Sequence, residues 1–175
     1  MGRRPVAGGQ GHDQGDQRQG PGPAHGLEPR PRERLTVRLV LLSPAGRLLL
    51  VRFEDPTLQG GATAGWCTVG GGVDAGETLE AAARRELFEE TGLTADIGPL
   101  LWSRELVLTV AGEPRLLNEH YLLARAPHET LTAAGWTEDE RRVIREMRWW
   151  RPEAIAISGE TIFPEDLAER LANIV

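Results

Sequence analysis

Two β-rich apolar runs, residues 35–42 (LTVRLVLL) and 47–53 (RLLLVRF), flank the turn sequence Ser43-Pro44-Ala45-Gly46 and predict a hairpin. Residues 54–65 carry glycines and no period, which predicts a loop long enough to border a site. A short strand, 66–69, runs into Gly70-Gly71-Gly72, and the pattern then changes period. Leu79, Ala82, Ala83 and Leu87 form an apolar stripe at helical spacing, with Thr78 placed to cap the helix and Gly92 to stop it in a left-handed conformation. Residues 99–110 and 115–125, on either side of Ala111-Gly112-Glu113-Pro114, predict a second hairpin. Residues 126–137 read as loop, and 138–146 alternate acid and base. Residues 148–150 suggest a short final strand, and 152–157 and 164–174 two helices, the second with Leu167 and Leu171 facing inward. The sum is an α/β fold, a mixed sheet with one central helix and carboxy-terminal helices.

The central helix carries more than a stripe. Glu86, Glu89 and Glu90 fall at i, i+3 and i+4, so their carboxylates project from one side within reach of one another. Bare carboxylates so placed repel, and the last turn of a helix disfavours an anion by roughly 0.3 to 1 kcal/mol. One reading is an oxygen-seeking divalent cation, Mg²⁺ first, that neutralises the cluster and serves phosphate chemistry. The other is a solvated acidic face relieved by Arg84 and Arg85.

Composition narrows the setting. A chain of 175 residues holds one domain with a proper core. Half of residues 1–34 are Gly, Pro or Gln, which predicts a disordered tail, leaving 35–175 as the folded domain. A net charge of -6 argues against a general nucleic-acid binder. All 20 basic residues are arginine, so Schiff-base and P-loop lysine chemistry are excluded and phosphate contacts fall to arginine, backbone amides or metal. The single cysteine, Cys67, allows no intramolecular disulfide and reads as a small core residue. No run approaches the ~20 apolar residues that span a bilayer, so the expectation is a soluble, cytoplasmic protein without a membrane partner, a homodimer being left open.

Spacing adds what single residues do not. Gly71, five residues, Glu77, seven residues, then Arg85-Glu86-Leu87-Phe88-Glu89-Glu90-Thr91-Gly92-Leu93 matches at every specified position the pattern G-x5-E-x7-R-E-U-x-E-E-x-G-U, with U a bulky aliphatic residue. That is the Nudix box, and the chain resembles a Nudix hydrolase, with flanking elements similar to the Nudix α/β/α sandwich. Val69 stands where members often have proline before the paired glycines. The resemblance implies hydrolysis of a diphosphate linkage in a nucleoside diphosphate derivative by water attack at phosphorus, with Mg²⁺ or Mn²⁺ as cofactor and a small-molecule nucleotide as substrate. It implies Glu86, Glu89 and Glu90 as metal ligands and the Gly71 carbonyl as a further one. Arg85 would orient the carboxylates, and Glu77 would support the loop by pairing with Arg85. A Nudix-fold sensor that binds a nucleotide without cutting it is the rival, though such proteins commonly have degraded boxes and this one is intact.

The general base stays open among Glu86 and Glu90 within the box and Glu119, Glu138, Asp139, Glu140 and Glu146 outside it. Arg52, at the end of the second strand, is a candidate phosphate contact, and Glu119 a second candidate on the substrate side. Of the tryptophans, most are expected in the core, with at most one of Trp149 and Trp150 facing a site, since neighbours on a strand face opposite sides. Marks outside the box for ADP-ribose, dinucleoside polyphosphate, NADH or coenzyme A substrates are not found, so no subgroup is assigned.

Overall fold

The computed structural model describes residues 31–59 and 61–174. Its centre is strand β1 (Arg32–Leu42), where Val37, Leu39, Val40, Leu41 and Leu42 are all fully buried. A strand apolar on both faces belongs inside a sheet that is covered on both sides. Its long partner is β6 (Glu113–Arg125), parallel, in register from Arg32↔Arg115 to Leu42↔Arg125. Outside β6 lies β5 (Ile97–Val110), antiparallel, and beyond it the two-residue β3 (Leu58–Gln59).

The expected first hairpin is only half present. Strand β2 (Leu48–Glu54) meets β1 at the single pair Leu42↔Leu48 and then turns away. It pairs instead with β4 (Ala64–Thr68) on one edge and β7 (Ile144–Trp150) on the other, both antiparallel, and β4 carries the short parallel β8 (Ile162–Phe163). The turn closes as read, with Gly46 at φ 71° and the Ser43 hydroxyl accepting from the Ala45 and Arg47 amides. Local turn chemistry therefore set the corner, while tertiary pairing set where each strand went next.

The sheet thus opens between β1 and β2, and the glycine segment after β4 fills the free edge of β1. Val37 N–H donates to the Gly71 carbonyl at 2.9 Å, Leu39 N–H to Val69 at 2.8 Å, and Val73 N–H to Leu35 at 3.0 Å. From there the chain enters helix α1 (Leu79–Thr91). Thr78 caps it by accepting from Ala81 N–H, and Gly92 ends it at φ 73°. Both ends stand where the sequence placed them.

Side-chain alternation splits the core in two. Leu39, Leu41, Leu49 and Val51 pack with Ala82, Ala83 and Leu87 of α1 on one face. Val40, Leu42, Leu48 and Leu50 pack on the other with Trp66, Trp150 and Tyr121, under helices α3 (Pro152–Ile155) and α4 (Leu167–Leu171). Trp149 joins the first cluster and Trp150 the second, as the strand period requires. The architecture is a mixed sheet between α1 and the carboxy-terminal helices, the α/β/α arrangement expected.

Several boundaries differ from expectation. β1 begins at Arg32, inside the segment read as tail, so residues 32–34 are strand; residues 1–30 of that segment lie outside the described residues. β3, β8 and helix α2 (Glu138–Val143) were not foreseen. The two strands are two residues long and carry too little period to see. Helix α2 buries none of its residues and stands on a Thr137–Glu140 capping box, a local signal hidden in a run of charges. The last helix is shorter than the 164–174 expected. Among the described residues no helix is long and apolar enough to cross a membrane.

Gly70 holds φ 136°, and a Cβ there would collide with the Val37 carbonyl. Gly70→Ala should therefore destabilise the fold by about 3 kcal/mol or more, the sum of backbone strain and overpacking. Urea denaturation measures this, and a variant within about 0.5 kcal/mol of wild type, the spread of ordinary surface changes, would contradict the described packing.

Candidate functional site

Arg85 ties the glycine loop to the helix. Its Nε and Nη2 donate to the two Glu77 oxygens at 3.1 and 3.0 Å, Nη2 also to the Gly72 carbonyl at 2.8 Å, and Nη1 to Glu86 Oε1 at 2.7 Å and Glu89 Oε2 at 3.1 Å. One planar guanidinium can hold so many acceptors because its donors point in fixed, divergent directions. The hydrogen bond from Arg85, with one from the Asp74 amide, holds the Glu77 carboxyl below the usual range.

Helix α1 then presents two buried carboxylates, Glu86 and Glu90, and α2 brings Glu140 to them. Each offers an oxygen within 4.8 Å of the others. Glu90 Oε2 accepts from Gly70 N–H at 3.0 Å. Burial pushes its carboxyl up to about 8, Glu86 and Glu140 add to the push, and the Gly70 amide and Arg38 only partly oppose it. Burial likewise raises Glu86 against the pull of Arg85. A set of three carboxylates short of positive charge suits a hard divalent cation. Gly71 fits the same purpose. A Cβ there would stand 2.6 Å from both Glu86 oxygens, so a larger residue would push that carboxylate out of its present place. The Gly71 carbonyl spends one lone pair on Val37 and keeps a second.

The structure does not gather every residue the sequence suggested. Glu89 stays with Arg85, its side chain 39% exposed, outside the three-carboxylate group. Glu138 and Asp139 are paired with Arg142 on the exposed side of α2, and Glu146 with Arg148. Arg52 sits between the cleft-lining Val51 and Phe53, which turns it to the opposite face of β2, where it pairs with Glu54 at 3.2 Å.

A cleft of about 500 Å³ adjoins the carboxylates and occupies the opening between the two halves of the sheet. Glu90 and Glu140 stand on its wall, with Phe53, Leu58, Leu106, Leu108 and Phe163 supplying apolar surface. Glu119 is at the inner end, only 2% exposed. It accepts from Arg38 Nε at 2.9 Å, Arg104 Nε at 2.6 Å and the Tyr121 hydroxyl at 2.8 Å. Burial alone would raise its carboxyl, but the two arginines and these hydrogen bonds outweigh that and hold it below the usual range. A carboxylate so committed is a poor proton acceptor. Cys67 also lines the cleft, and burial pushes its thiol up to about 11, which suits a structural rather than a nucleophilic cysteine.

Sequence reasoning missed Arg38, Thr68 and Arg104, and the aromatic wall of Phe53 and Phe163. Two signals were visible. Arg38 interrupts the apolar run LTVRLVLL, where an arginine needs a buried partner, and Arg104, Leu106 and Leu108 alternate along one strand and so share a face. None of the tryptophans lines the cleft.

Glu119→Gln should cost about 3 kcal/mol at pH 7, because it strips the buried charge that pairs two half-buried arginines. A carboxyl lowered by folding contributes stability above its ordinary value of 4.5, lost as pH falls through the lower folded value. Urea titrations at successive pH values should therefore show wild type and variant converging in stability as pH falls below 4.5. Equal stability at pH 7 and parallel acid profiles would contradict the assignment.

The family model described as NUDIX domain matches residues 32–171. The chain is 40% identical over 86 residues to the oxidized purine nucleoside triphosphate hydrolase of Danio rerio, covering 49% of this chain and 51% of that protein. It is 46% identical over 67 residues to the RNA pyrophosphohydrolase of Caulobacter vibrioides, covering 37% and 36%. The chain thus spans about half or less of the length of these curated relatives. The solution structure of the E. coli ORF135 protein superposes with a TM-score of 0.57 at 26% identity, covering 82% of this chain and 91% of that one. With the family model matched across β1 to α4 and the Arg85-centred loop and helix in place, this chain belongs to the NUDIX domain family.

Proposed function

We propose that the protein is a metal-dependent hydrolase that cleaves a diphosphate linkage in a small nucleotide by water attack at phosphorus. The observation that carries this reading is the juxtaposition of Glu86, Glu90 and Glu140, with Glu90 and Glu140 also forming one wall of an apolar cleft large enough for a nucleoside. Glu86, Glu90 and Glu140, with the Gly71 carbonyl, would hold Mg²⁺ or Mn²⁺, and Glu89 would contribute from the exposed side of the helix. When bound, such a cation supplies Lewis-acid charge to phosphate oxygens and makes a nearby water easier to deprotonate.

The chain's own residues do the rest. The apolar walls seat the base and exclude water, which places the diphosphate at the carboxylate end. Arg85 fixes the rotamers of Glu86 and Glu89, so the oxygens do not have to be ordered when substrate arrives. A carboxylate of the group takes the proton of the attacking water, and Glu119, already holding three donors, does not. Among the activities named for the relatives, a free nucleotide suits this chain better than an RNA end. Asp55, Glu140 and Glu165 line the cleft and the net charge is -6, which offers a polyanion no basic track.

The test is turnover of a panel of nucleoside triphosphates, 8-oxo-dGTP, ADP-ribose and dinucleoside polyphosphates with Mg²⁺ and with EDTA. At least one should be cleaved with Mg²⁺ and none with EDTA. Glu90→Gln and Glu140→Gln should each lower kcat by roughly 10²-fold or more with little change in fold. Nucleotide binding without turnover across the panel would contradict the reading and favour a sensor.

A further inference from the structure

The inner end of the cleft holds hydrogen-bonding capacity that the fold does not use. Thr68 is 2% exposed, and its Oγ1 has no hydrogen-bond partner among the described residues, although it lines the cleft. A buried hydroxyl left unpaired is costly, and a small shift of the Thr68 side chain would let a ligand atom pair it. Arg104, on the same wall, donates through Nε to Glu119, but no hydrogen bond engages Nη1 or Nη2 among the described residues. Glu165 stands 3.8 Å from Nη1, beyond hydrogen-bond length, and is 78% exposed.

Resting on the reading of this cleft as a nucleotide site, we propose that Arg104 and Thr68 select the base, and that the substrate class is 6-oxopurine nucleotides in preference to 6-aminopurine nucleotides. The argument is one of donors and acceptors. Glu119 could have offered an acceptor to a base amino group, but Arg38, Arg104 and Tyr121 already occupy both its oxygens. Arg38 spends Nε on Glu119 and Nη1 on the carbonyls of Thr68 and Gly70, which leaves it Nη2 but not a pair of unspent Nη groups. What remains on the cleft wall is the Arg104 donor fork, with the unpaired Thr68 hydroxyl, able to donate or accept, buried on the same lining. The fork is aimed, because Glu119 grips Arg104 at 2.6 Å and is itself fixed from two other sides.

A 6-oxopurine presents O6 and N7 as two adjacent acceptors, which a guanidinium matches with two parallel N–H bonds. A 6-aminopurine puts an N–H₂ donor beside N7, so one donor would face another. A pyrimidine has no N7 and would fill less of the space between the Leu106–Leu108 wall and Phe53 with Phe163. Glu119 is on this account a positioning residue for Arg104 rather than a group that touches substrate.

The test is calorimetric titration of the full chain with GMP, IMP, AMP and 7-deaza-GMP in Mg²⁺; monophosphates offer no diphosphate to cleave. GMP and IMP should bind within about threefold of each other and roughly tenfold or more tighter than AMP, with 7-deaza-GMP losing most of that advantage. Arg104→Leu should bring GMP down to the affinity of AMP, and Thr68→Val should weaken GMP by several-fold. Equal binding of GMP and AMP overturns the proposal. So does IMP behaving like AMP, which would place recognition on the 2-amino group, or an Arg104→Leu protein that keeps the preference. If Arg104→Leu does not fold, the wild-type ranking of IMP and 7-deaza-GMP decides alone. Turnover of nucleotides without a 6-oxo preference would contradict this inference only, whereas preferred binding of GMP with no turnover across the substrate panel would contradict only the hydrolase reading.

Discussion

The structure depends on a few backbone hydrogen bonds between β1 and the segment from Val69 to Val73. They convert a glycine loop, which alone would be among the most mobile kinds of chain, into an added strand edge. Three consequences follow from that one arrangement. The Gly71 backbone is brought against Glu86, the Gly70 amide is aimed at Glu90, and the start of α1 is fixed relative to the sheet. Helix propensity and capping then carry the register of the carboxylates from Thr78 to Gly92. The site is precise because its two halves, loop and helix, are held by a strand that is buried from Thr36 to Leu42 except at Arg38.

Buried charge is organised around two hubs with opposite tasks. Arg85 is a cation that gathers Glu77, Glu86 and Glu89, and it leaves Glu90 and Glu140 unneutralised. Glu119 is an anion that gathers Arg38 and Arg104 and leaves the Arg104 fork unspent. The first hub creates a place that lacks positive charge, beside the cleft's open carboxylate wall. The second creates a donor-rich inner end. A molecule with a phosphate-bound cation at one end and an acceptor-bearing ring at the other meets both requirements. The apolar walls between them do not compete for either end.

Much of this was legible in the sequence, for physical reasons that can be named. The α1 stripe, the Thr78 cap and the Gly92 stop are local and periodic, and the structure has them where the pattern put them. So is the Glu77–Arg85 pairing, which the box spacing implied. The destination of a strand is not local. β1 runs beside β6, far along the chain, and parts from its hairpin neighbour after one pair, because burial on both faces outweighs turn proximity. The same limit hid the site's third carboxylate: Glu140 was one of several acids in a mixed run, and only the fold of α2 onto the end of α1 separates it from Glu138 and Asp139. Arg52 lies off the cleft by strand parity, since its neighbours Val51 and Phe53 take the cleft face.

The central claim is that Glu86, Glu90 and Glu140 form one cation site. Anomalous diffraction from crystals soaked in Mn²⁺ tests it most directly. The account predicts a manganese peak bridged by those three carboxylates, with Mn–O distances of roughly 2.2 Å, close to those of a hard octahedral cation. A peak held by Glu89 without Glu90 and Glu140, or no ordered peak at the cleft, would contradict it.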